Sequence, residues 1–423
     1  MKEVSQKKRN APAEKTGETS NKKRETPKAR GKESEQDKPE KCQRCRGRHN
    51  DDQCRWNIGA CFGCGKQGHL QWTMSPPCDL PIDVIIDILS RLPVKSLLRF
   101  SCVCKAWQAL LTDSNFIKLQ LNQNSFNILV GSHDCETNST VLSVYNGETV
   151  DQSADMSLPC PLPLPCPYYN ILGSCNGLIC ILQTPLIFLW NPALRQLRSL
   201  PKPQIRPLDV IVVFGFGYDP VTDDKKLVRF VCDESLGFHL RAEVFTLSTD
   251  CWRELEVDML SLVPLCRSTA FANGFIYWIG VDRLNGHKRI LSFDEGAELF
   301  RETALPVSDP SSSAMHLTVS RDSLALFVYS IEQELSRCFD IWVMNGVSNS
   351  WSKQFTIGPF SRVARPVAFS RNGEVIFRYI KNINSELFWY NPNTQEIKYF
   401  PIRRAGHSLQ VHYYVESLAS LKG

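Results

Sequence analysis

Cysteine and histidine residues cluster between positions 42 and 78, at spacings that suit a metal ion. The first set follows the pattern C-x2-C-x3-H-x4-C, and the second begins C-x2-C-x4-H with one more cysteine beyond it. The candidate ligands are Cys42, Cys45, His49, Cys54, Cys61, Cys64, His69 and Cys78. A Cys-x2-Cys turn places two thiolates on one side of a metal, and a nearby His and Cys complete the tetrahedron that Zn²⁺ prefers. The spacing therefore predicts one complete zinc site and a second that lacks an obvious fourth ligand.

The two sets together resemble the tandem zinc knuckles of retroelement nucleocapsid proteins. Gly65 and the Gly68-His69 pair are typical of the second knuckle in that family. The resemblance implies a fourth ligand at the position of Met74, and Cys78 is the nearest substitute. The alternative interpretation is a decayed knuckle whose cysteines are scattered thiols.

The resemblance also implies a ligand for residues 42–78. Zinc knuckles bind single-stranded nucleic acid by stacking bases on aromatic rings, with Arg and Lys on the phosphates. Trp56 and Phe62 supply rings within the cluster. The surrounding cations are Arg44, Arg46, Arg48, Arg55 and Lys66. We therefore expect Zn²⁺ as a cofactor and single-stranded nucleic acid as a candidate partner.

The chain before this cluster differs sharply from the chain after it. Residues 1–41 carry a net charge of +5, lack aromatic side chains and contain almost no large aliphatic ones. Such a segment buries too little apolar surface to offset its ordering entropy, so we expect a disordered basic tail. Its Lys-Lys-Arg runs fit a nuclear-import signal, although interspersed Glu favours a solvated tail. Residues 79–423 carry a net charge of −3, so the basic isoelectric point comes from the N-terminal end.

Three helices are predicted between residues 79 and 123. Pro81 suits the first turn of the first helix, and Pro93 ends that helix at Leu92. A second helix is expected from about 94 to 111, and a short third helix around 115 to 121. The apolar residues at helical spacing in the first helix are Ile82, Ile85, Ile86, Leu89 and Leu92. So short a helical unit cannot bury all of its apolar surface internally, and part of that surface must face a partner.

The segment LPIDVIIDILSRLPVKSLLRFSCVCKAWQALL resembles the F-box, a helical motif that docks onto the Skp-family adaptor of cullin-based ubiquitin ligases. The match includes the Leu-Pro opening, the Leu-Pro that breaks the first helix and the Cys-Lys-x-Trp near the end. The resemblance implies that the following residues line or support the adaptor-binding face: Leu80, Pro81, Ile85, Leu89, Leu92, Pro93, Leu97, Val103, Cys104 and Trp107. A few buried apolar and aromatic anchors dominate such interfaces, and Trp107 is the best single candidate. The alternative is a helical hairpin that merely packs on the downstream domain.

From residue 124 onward, short apolar runs alternate with turn residues, which predicts antiparallel strands. Gly177, Gly274 and Gly373 each follow Asn and precede a strand, at separations of 97 and 99 residues, and Ser323 lies halfway between the last two. These positions fit a repeat of roughly 49 residues, the length that a four-stranded unit needs. The pattern therefore predicts an all-β propeller of six blades, closed by pairing residues 407–416 with strands near 126–145. A two-sheet β-sandwich is the alternative fold.

This region also resembles the kelch-like F-box-associated domain that is common in plant F-box proteins. The segments FGFGYDP and LFWYNPNTQEIKYFP and the strand ends CWREL and SWSKQF carry the resemblance. The predicted organisation is thus a tail at 1–41, tandem knuckles at 42–78, a three-helix F-box at 79–123 and a propeller at 124–423.

The functional hypothesis is a non-catalytic substrate receptor of a Skp–cullin–F-box ubiquitin ligase, with an unknown target protein on the propeller. The eight histidines are scattered, and His316, His407 and His412 are expected in blade edges or the core, not as ligands. GFG at 215–217 is followed by a charged turn, which argues against a nucleotide loop. The alternatives are a nucleic-acid-binding regulator that acts through the knuckles and, with less weight, a propeller enzyme.

The sequence also indicates the cellular compartment of the protein. The N-terminus has no apolar core of a secretory signal, and no apolar run is long enough to cross a bilayer. Seventeen cysteines lying mostly in apolar segments indicate free thiols and metal ligands in a reducing environment. We expect an intracellular protein of the nucleus, the cytoplasm or both, without a membrane partner.

Overall fold

A computed structural model describes most of the chain from Pro81 onward. The described residues are 81–124, 126–134, 139–149, 151–156, 169–205, 210–233, 239–257, 262–307, 313–330, 336–346, 349–360, 364–370, 372–381, 384–400 and 408–421. Pro81–Gly423 forms one compact unit, to which all of these ranges belong. The predicted tail, both predicted knuckles and Leu80 lie outside the described residues.

Four short helices open the described chain, where three were predicted. They are α1 (Ile82–Ser90), α2 (Val94–Phe100), α3 (Lys105–Thr112) and α4 (Ser114–Gln123). The predicted second helix is wrong as a single element, because it is broken between α2 and α3. The break has a local cause: Cys104 is extended, with φ −155° and ψ 162°, and its sulfur accepts the backbone N–H of Trp107 at 3.4 Å. A residue in that conformation caps a new helix and cannot continue the old one.

The remaining chain forms 24 strands within the described residues. They are β1 (Asn127–Asp134), β2 (Ser139–Asn146), β3 (Gln152–Met156), β4 (Asn170–Cys175), β5 (Leu178–Gln183), β6 (Leu186–Asn191), β7 (Gln196–Ser199), β8 (Val210–Tyr218), β9 (Lys225–Asp233), β10 (His239–Thr246), β11 (Cys251–Leu255), β12 (Leu262–Ala272), β13 (Phe275–Asp282), β14 (Lys288–Asp294), β15 (Leu299–Thr303), β16 (Ser313–Ser320), β17 (Ser323–Ser330), β18 (Arg337–Asn345), β19 (Ser350–Phe360), β20 (Ala364–Phe369), β21 (Val375–Lys381), β22 (Asn384–Tyr390), β23 (Ile397–Tyr399) and β24 (Ser408–Tyr414). Neighbouring strands pair antiparallel in six sheets of four.

The six sheets are the blades of a propeller. Five blades use consecutive strands, and the sixth has the order β24-β1-β2-β3, so that the last strand completes the blade that the first strand begins. The register of this closure runs from Asn127 opposite Tyr414 to His133 opposite Ser408. The innermost strands contact one another in a closed ring, in the order β24, β4, β8, β12, β16 and β20. The six-bladed propeller and its closing pair are therefore confirmed, and the sandwich alternative is wrong.

Large side chains from adjacent blades interlock to form the core. One buried cluster, for example, joins Phe230 of β9 to Trp278 of β13, whose rings lie 5.2 Å apart edge to face. Trp252 and Trp351 lie in the predicted strand ends on β11 and β19, and each links its blade to the preceding one. Each indole N–H donates to a backbone carbonyl just after the outer strand of the preceding blade, Pro201 at 2.9 Å and Ala304 at 3.1 Å. The recurring aromatic strand end is thus a link between blades.

The glycines at 215 and 217 serve packing. Both lie within strand β8, and a Cβ at Gly215 would approach Trp278 Cζ2 to 2.3 Å. The prediction that this segment is not a nucleotide loop therefore agrees with its place in a buried strand. Among the described cysteines, Cys175 and Cys180 are buried free thiols, as predicted for this region.

Candidate functional site

The residues predicted for the adaptor-binding face divide into three groups by exposure. Pro81, Pro93 and Val103 are exposed; Ile85, Leu92, Cys104 and Trp107 are half-buried; Leu89 and Leu97 are buried in the helical core. Buried residues cannot touch a partner without rearrangement, so Leu89 and Leu97 act as supports. The remaining described members keep surface that a partner can reach.

Trp107 is held in place by neighbours on both sides of the helix break. Its ring meets the Phe100 ring edge to face, with centroids 5.3 Å apart. Its backbone N–H is the group that Cys104 caps. An aromatic pair of this geometry contributes about 1 kcal/mol beyond its buried area. The half-buried Trp107 is therefore a pre-positioned side chain, with one part in the core and another part accessible.

Three exposed apolar residues of α1 were absent from the predicted set. Ile82, Val84 and Ile88 are 50%, 39% and 48% exposed, and Val103 after α2 is 59% exposed. Val84 and Ile88 are four residues apart and share one face of α1, beside the face that Ile85 and Leu89 turn toward the core. A helix that is apolar on a second face indicates a missing partner. The signal was present in the sequence, since the apolar Val84 and Ile88 fall off the main helical stripe.

The C-terminal segment of the described chain joins the helices to the propeller. Leu418 belongs to the buried helical cluster with Leu97 and Phe116, and Leu194 of the β6–β7 turn packs against the same cluster. Three residues later, Leu421 is buried in a propeller cluster instead, against which Ile117 of α4 also packs. We call residues 415–421 the C-terminal strap.

Hydrogen bonds fix this strap on both sides. The buried amide of Asn191 donates to the carbonyls of Ser417 and Ala419 at 3.1 and 2.7 Å. On the helical side, Asn124 donates to the Glu416 carbonyl at 3.2 Å, and the Glu416 carboxylate interacts with the backbone N–H of Val94. Burial nevertheless raises the pKa of the Glu416 carboxyl above its ordinary value. The helices and the propeller are thus joined by packing and by hydrogen bonds.

The predicted metal and nucleic-acid ligands cannot be placed in this geometry. Cys42 through Cys78 and the surrounding Trp, Phe, Arg and Lys residues lie outside the described part of the chain. Within the described ranges, no group of three or more His, Cys, Asp or Glu side chains is arranged to hold a metal ion. His316 and His412 lie on β16 and β24, the inner strands of two blades. His407 is not among the described residues.

Comparison with known families agrees with both the helical unit and the propeller. A sequence model of the F-box domain matches residues 77–119, and a model of the F-box associated beta propeller domain matches residues 127–419. The second match covers more than half of the chain. The chain belongs to the F-box-associated β-propeller family.

Curated relatives of this F-box-associated propeller protein come from Arabidopsis thaliana. An F-box/kelch-repeat protein is 27% identical over 347 residues, which cover 77% of this chain and 91% of the relative. F-box protein CPR1 is 26% identical over 376 residues, covering 80% and 88%. F-box/WD-40 repeat-containing protein 1 is 29% identical over 325 residues, covering 70% and 75%. The first two alignments each cover more of this chain than residues 127–419, so they extend beyond the propeller match.

Among the described residues, no helix combines the length and the apolar character that crossing a membrane requires.

Proposed function

We propose that this protein is the substrate-receptor subunit of a Skp–cullin–F-box ubiquitin ligase. The observation that carries the proposal is the exposed apolar surface of α1 and Val103, in a helical unit whose family model is the F-box. The Skp-family adaptor would cover this surface and connect the receptor to the cullin. The propeller would hold the target protein.

The rigid connection through the C-terminal strap supports this role. A receptor of this kind contributes no nucleophile; it raises the effective concentration of target lysines near the ubiquitin-charged enzyme. That effect depends on a fixed distance and orientation between the two binding surfaces. The buried Leu418 contact and the Asn191 hydrogen bonds supply such a fixed relation.

The proposal is tested by adaptor binding with matched aspartate variants. Ile88→Asp and Val103→Asp place a charge at exposed sites of the F-box, so they leave the fold intact and disrupt the interface. We expect the Kd for a purified Skp-family adaptor to rise about 30-fold or more, as for loss of an apolar anchor worth about 2 kcal/mol. Leu284→Asp is the control, because Leu284 is 93% exposed in the β13–β14 turn of the propeller. A wild-type chain that stays monomeric with micromolar adaptor, or F-box variants that bind like the control, would contradict the proposal.

We also propose that residues 42–78 bind Zn²⁺ through Cys42, Cys45, His49 and Cys54. The support is the spacing of the ligands alone. Cys61, Cys64, His69 and Cys78 form the candidate second set, and nucleic-acid binding by Trp56, Phe62, Arg44, Arg55 and Lys66 stays a prediction. A salt titration of single-stranded RNA or DNA binding by the full chain tests that activity, since phosphate contacts weaken as salt rises.

A further inference from the structure

The axis of the propeller contains a cavity of about 850 Å³, surrounded by the six inner strands. Four cationic side chains contribute to its lining: Lys288, Arg337, Arg365 and Arg378. No Asp or Glu of the described chain lines it. A cavity with only one sign of charge on low-dielectric walls concentrates ions of the opposite sign.

The four cations lie at one end of the cavity, which we call the cationic mouth. Arg365 is the second residue of the inner strand β20, and Arg337 and Lys288 are the first residues of β18 and β14. In a blade of antiparallel strands, the starts of the first and third strands lie at the same end. Arg378 is directly opposite Arg365 in the β20–β21 pair, which places it at this end as well.

The F-box lies at the other end of the propeller. Strand β24 ends at Tyr414, opposite the start of β1 at Asn127, and the C-terminal strap and α4 both continue from this end. The cationic mouth is at the end where the inner strands begin. The two surfaces therefore face in opposite directions, and a ligand in the mouth would not compete with the F-box partner.

Two features of the arginines favour an anionic ligand. Like charges directly opposite on paired strands are destabilising. Burial, and secondarily the charge of Arg365, lower the pKa of Arg378, whose guanidinium donates to the Leu409 carbonyl at 3.1 Å. Arg337 is 6% exposed and lies 5.0 Å from the Tyr329 ring, and its Nε has no hydrogen-bond partner among the described residues. A buried guanidinium N–H without a partner is unfavourable unless a ligand satisfies it.

Apart from these four cations, the described lining of the cavity consists of apolar and neutral polar side chains at neutral pH. Burial lowers the pKa of His412 to about 4, so its imidazole is neutral. Burial also lowers the pKa of His316, whose Nε2 lies 3.3 Å from the Val367 carbonyl. Positive charge is therefore confined to the mouth, where an entering anionic group would meet it first.

We propose that the cationic mouth binds the anionic side chain, phosphate or carboxylate, of an extended segment of the target protein. Arginine suits such oxyanions because its planar fork donates two parallel hydrogen bonds. The cations surround a cavity that takes one or a few side chains, and they do not extend along a groove that a longer polyanion would follow. This inference rests on the receptor role proposed above, and it adds the chemical class of the target.

The test is fluorescence polarisation with the full chain and three labelled peptide pools. The pools share degenerate flanks and differ at the centre, which is phosphoserine, glutamate or serine. We expect the phosphoserine or glutamate pool to bind at least 10-fold more tightly than the serine pool, and this difference to shrink as salt screens the charges. Arg365→Glu, at an exposed residue, should abolish the difference, and Arg365→Lys should keep most of it.

Lys398→Glu is the matched control, because Lys398 is an exposed cation on the outer strand β23 of the same blade. The N-terminal positive charge is the same in every variant, so only the mouth distinguishes them. Equal binding of all three pools, or an Arg365→Glu chain that binds like the Lys398→Glu chain, would overturn the inference. Adaptor binding is measured separately: its retention in Arg365→Glu leaves the receptor role standing when the peptide result is negative. Displacement of peptide by inorganic phosphate but no preference among the pools would indicate a free anion site and would also overturn it.

Discussion

The carboxylate of Glu416, two residues after the last propeller strand, interacts with the backbone N–H of Val94, the first residue of α2. The first N–H groups of a helix have no partner within the helix, and a negative group there also interacts favourably with the helix dipole. The N-cap residue of α2 is Pro93, which provides no side-chain cap. The propeller therefore supplies a cap that the F-box sequence lacks.

Replacing Glu416 tests this cap. Glu416→Ala removes the acceptor, and we expect the unfolding free energy to fall by about 1 kcal/mol, with faster amide exchange at Val94–Leu97. Glu416→Gln keeps an acceptor oxygen and serves as the control. Because burial raises the pKa of Glu416, the neutral Gln variant should be at least as stable as wild type above neutral pH. Equal losses in urea unfolding for the Ala and Gln variants would show that the hydrogen bond is not the cause.

Two equivalent Asn-Gly turns provide a matched test of the C-terminal strap. Gly177 and Gly373 have φ of +79° and +85°, so alanine strains both by about 1 kcal/mol. A Cβ at Gly177 would also approach Ser417 Cβ to 2.2 Å, whereas a Cβ at Gly373 meets nothing within 4 Å. We expect Gly177→Ala to cost a further ~1–3 kcal/mol and to increase amide exchange in the strap. Thermal unfolding of the two variants gives the comparison, and equal melting temperatures would contradict a tightly packed strap.

Glu295 predicts a specific pH dependence. Its side chain is fully buried, neither carboxylate oxygen has a hydrogen-bond partner among the described residues, and burial raises its pKa to about 9. The pKa of Glu295 is higher in the folded state than in the unfolded state. The contribution of this carboxyl to stability is therefore complete below about pH 4.5 and is lost as pH rises through about 9. Glu295→Gln removes this dependence. We expect the unfolding free energy of the variant to rise relative to that of wild type by up to roughly 1 kcal/mol per pH unit between pH 5 and 9.

Urea unfolding at several pH values measures that difference. The exposed Glu386 provides the control variant Glu386→Gln, whose stability should follow the wild-type pH profile. A Glu295→Gln chain with the wild-type pH slope would show that the carboxyl is solvated or paired in solution.

Zinc content shows whether residues 42–78 form zinc knuckles that bind metal or decayed knuckles that do not. With both sets intact we expect two zinc ions per full chain by elemental analysis, and one if the second set lacks its fourth ligand. Cys45→Ser should remove one ion, and Cys78→Ser should remove one only if Cys78 completes the second set. Cys251→Ser, at an exposed free thiol of β11, is the control. Zinc-free wild-type protein, purified without chelators, would rule out both sites.

Local sequence signals predicted the repeating part of the fold well. Gly177 and Gly274 adopt the positive φ that their Asn-Gly turns require, and the blades follow from that spacing. The helical motif was also recognisable, because Pro81 and Pro93 are the N-caps of α1 and α2, although α1 ends at Ser90 and not at the predicted Leu92. Each of these features depends on residues that are close together in the sequence.

Features that depend on distant residues were not predictable in the same way. The break before α3 requires Cys104 to leave the helix, although nothing in its apolar spacing indicates this. Leu418 lies about 300 residues from the helices in the sequence, so its place in the helical core could not be inferred. The meeting of Arg337, Arg365 and Arg378 in one cavity could not be inferred either. Such contacts arise only when the propeller ring closes.

Ring closure by β24 has a consequence for the protein during its synthesis. The ribosome releases the helices first, whereas Leu418 and Glu416 emerge about 300 residues later, some 15–60 s at ordinary elongation rates. Throughout that interval the nascent helices lack part of their core, and the first blade lacks its inner strand. A nonsense mutation anywhere before position 408 should therefore yield a polypeptide that quality control removes, not a shortened inhibitor that occupies the proposed adaptor.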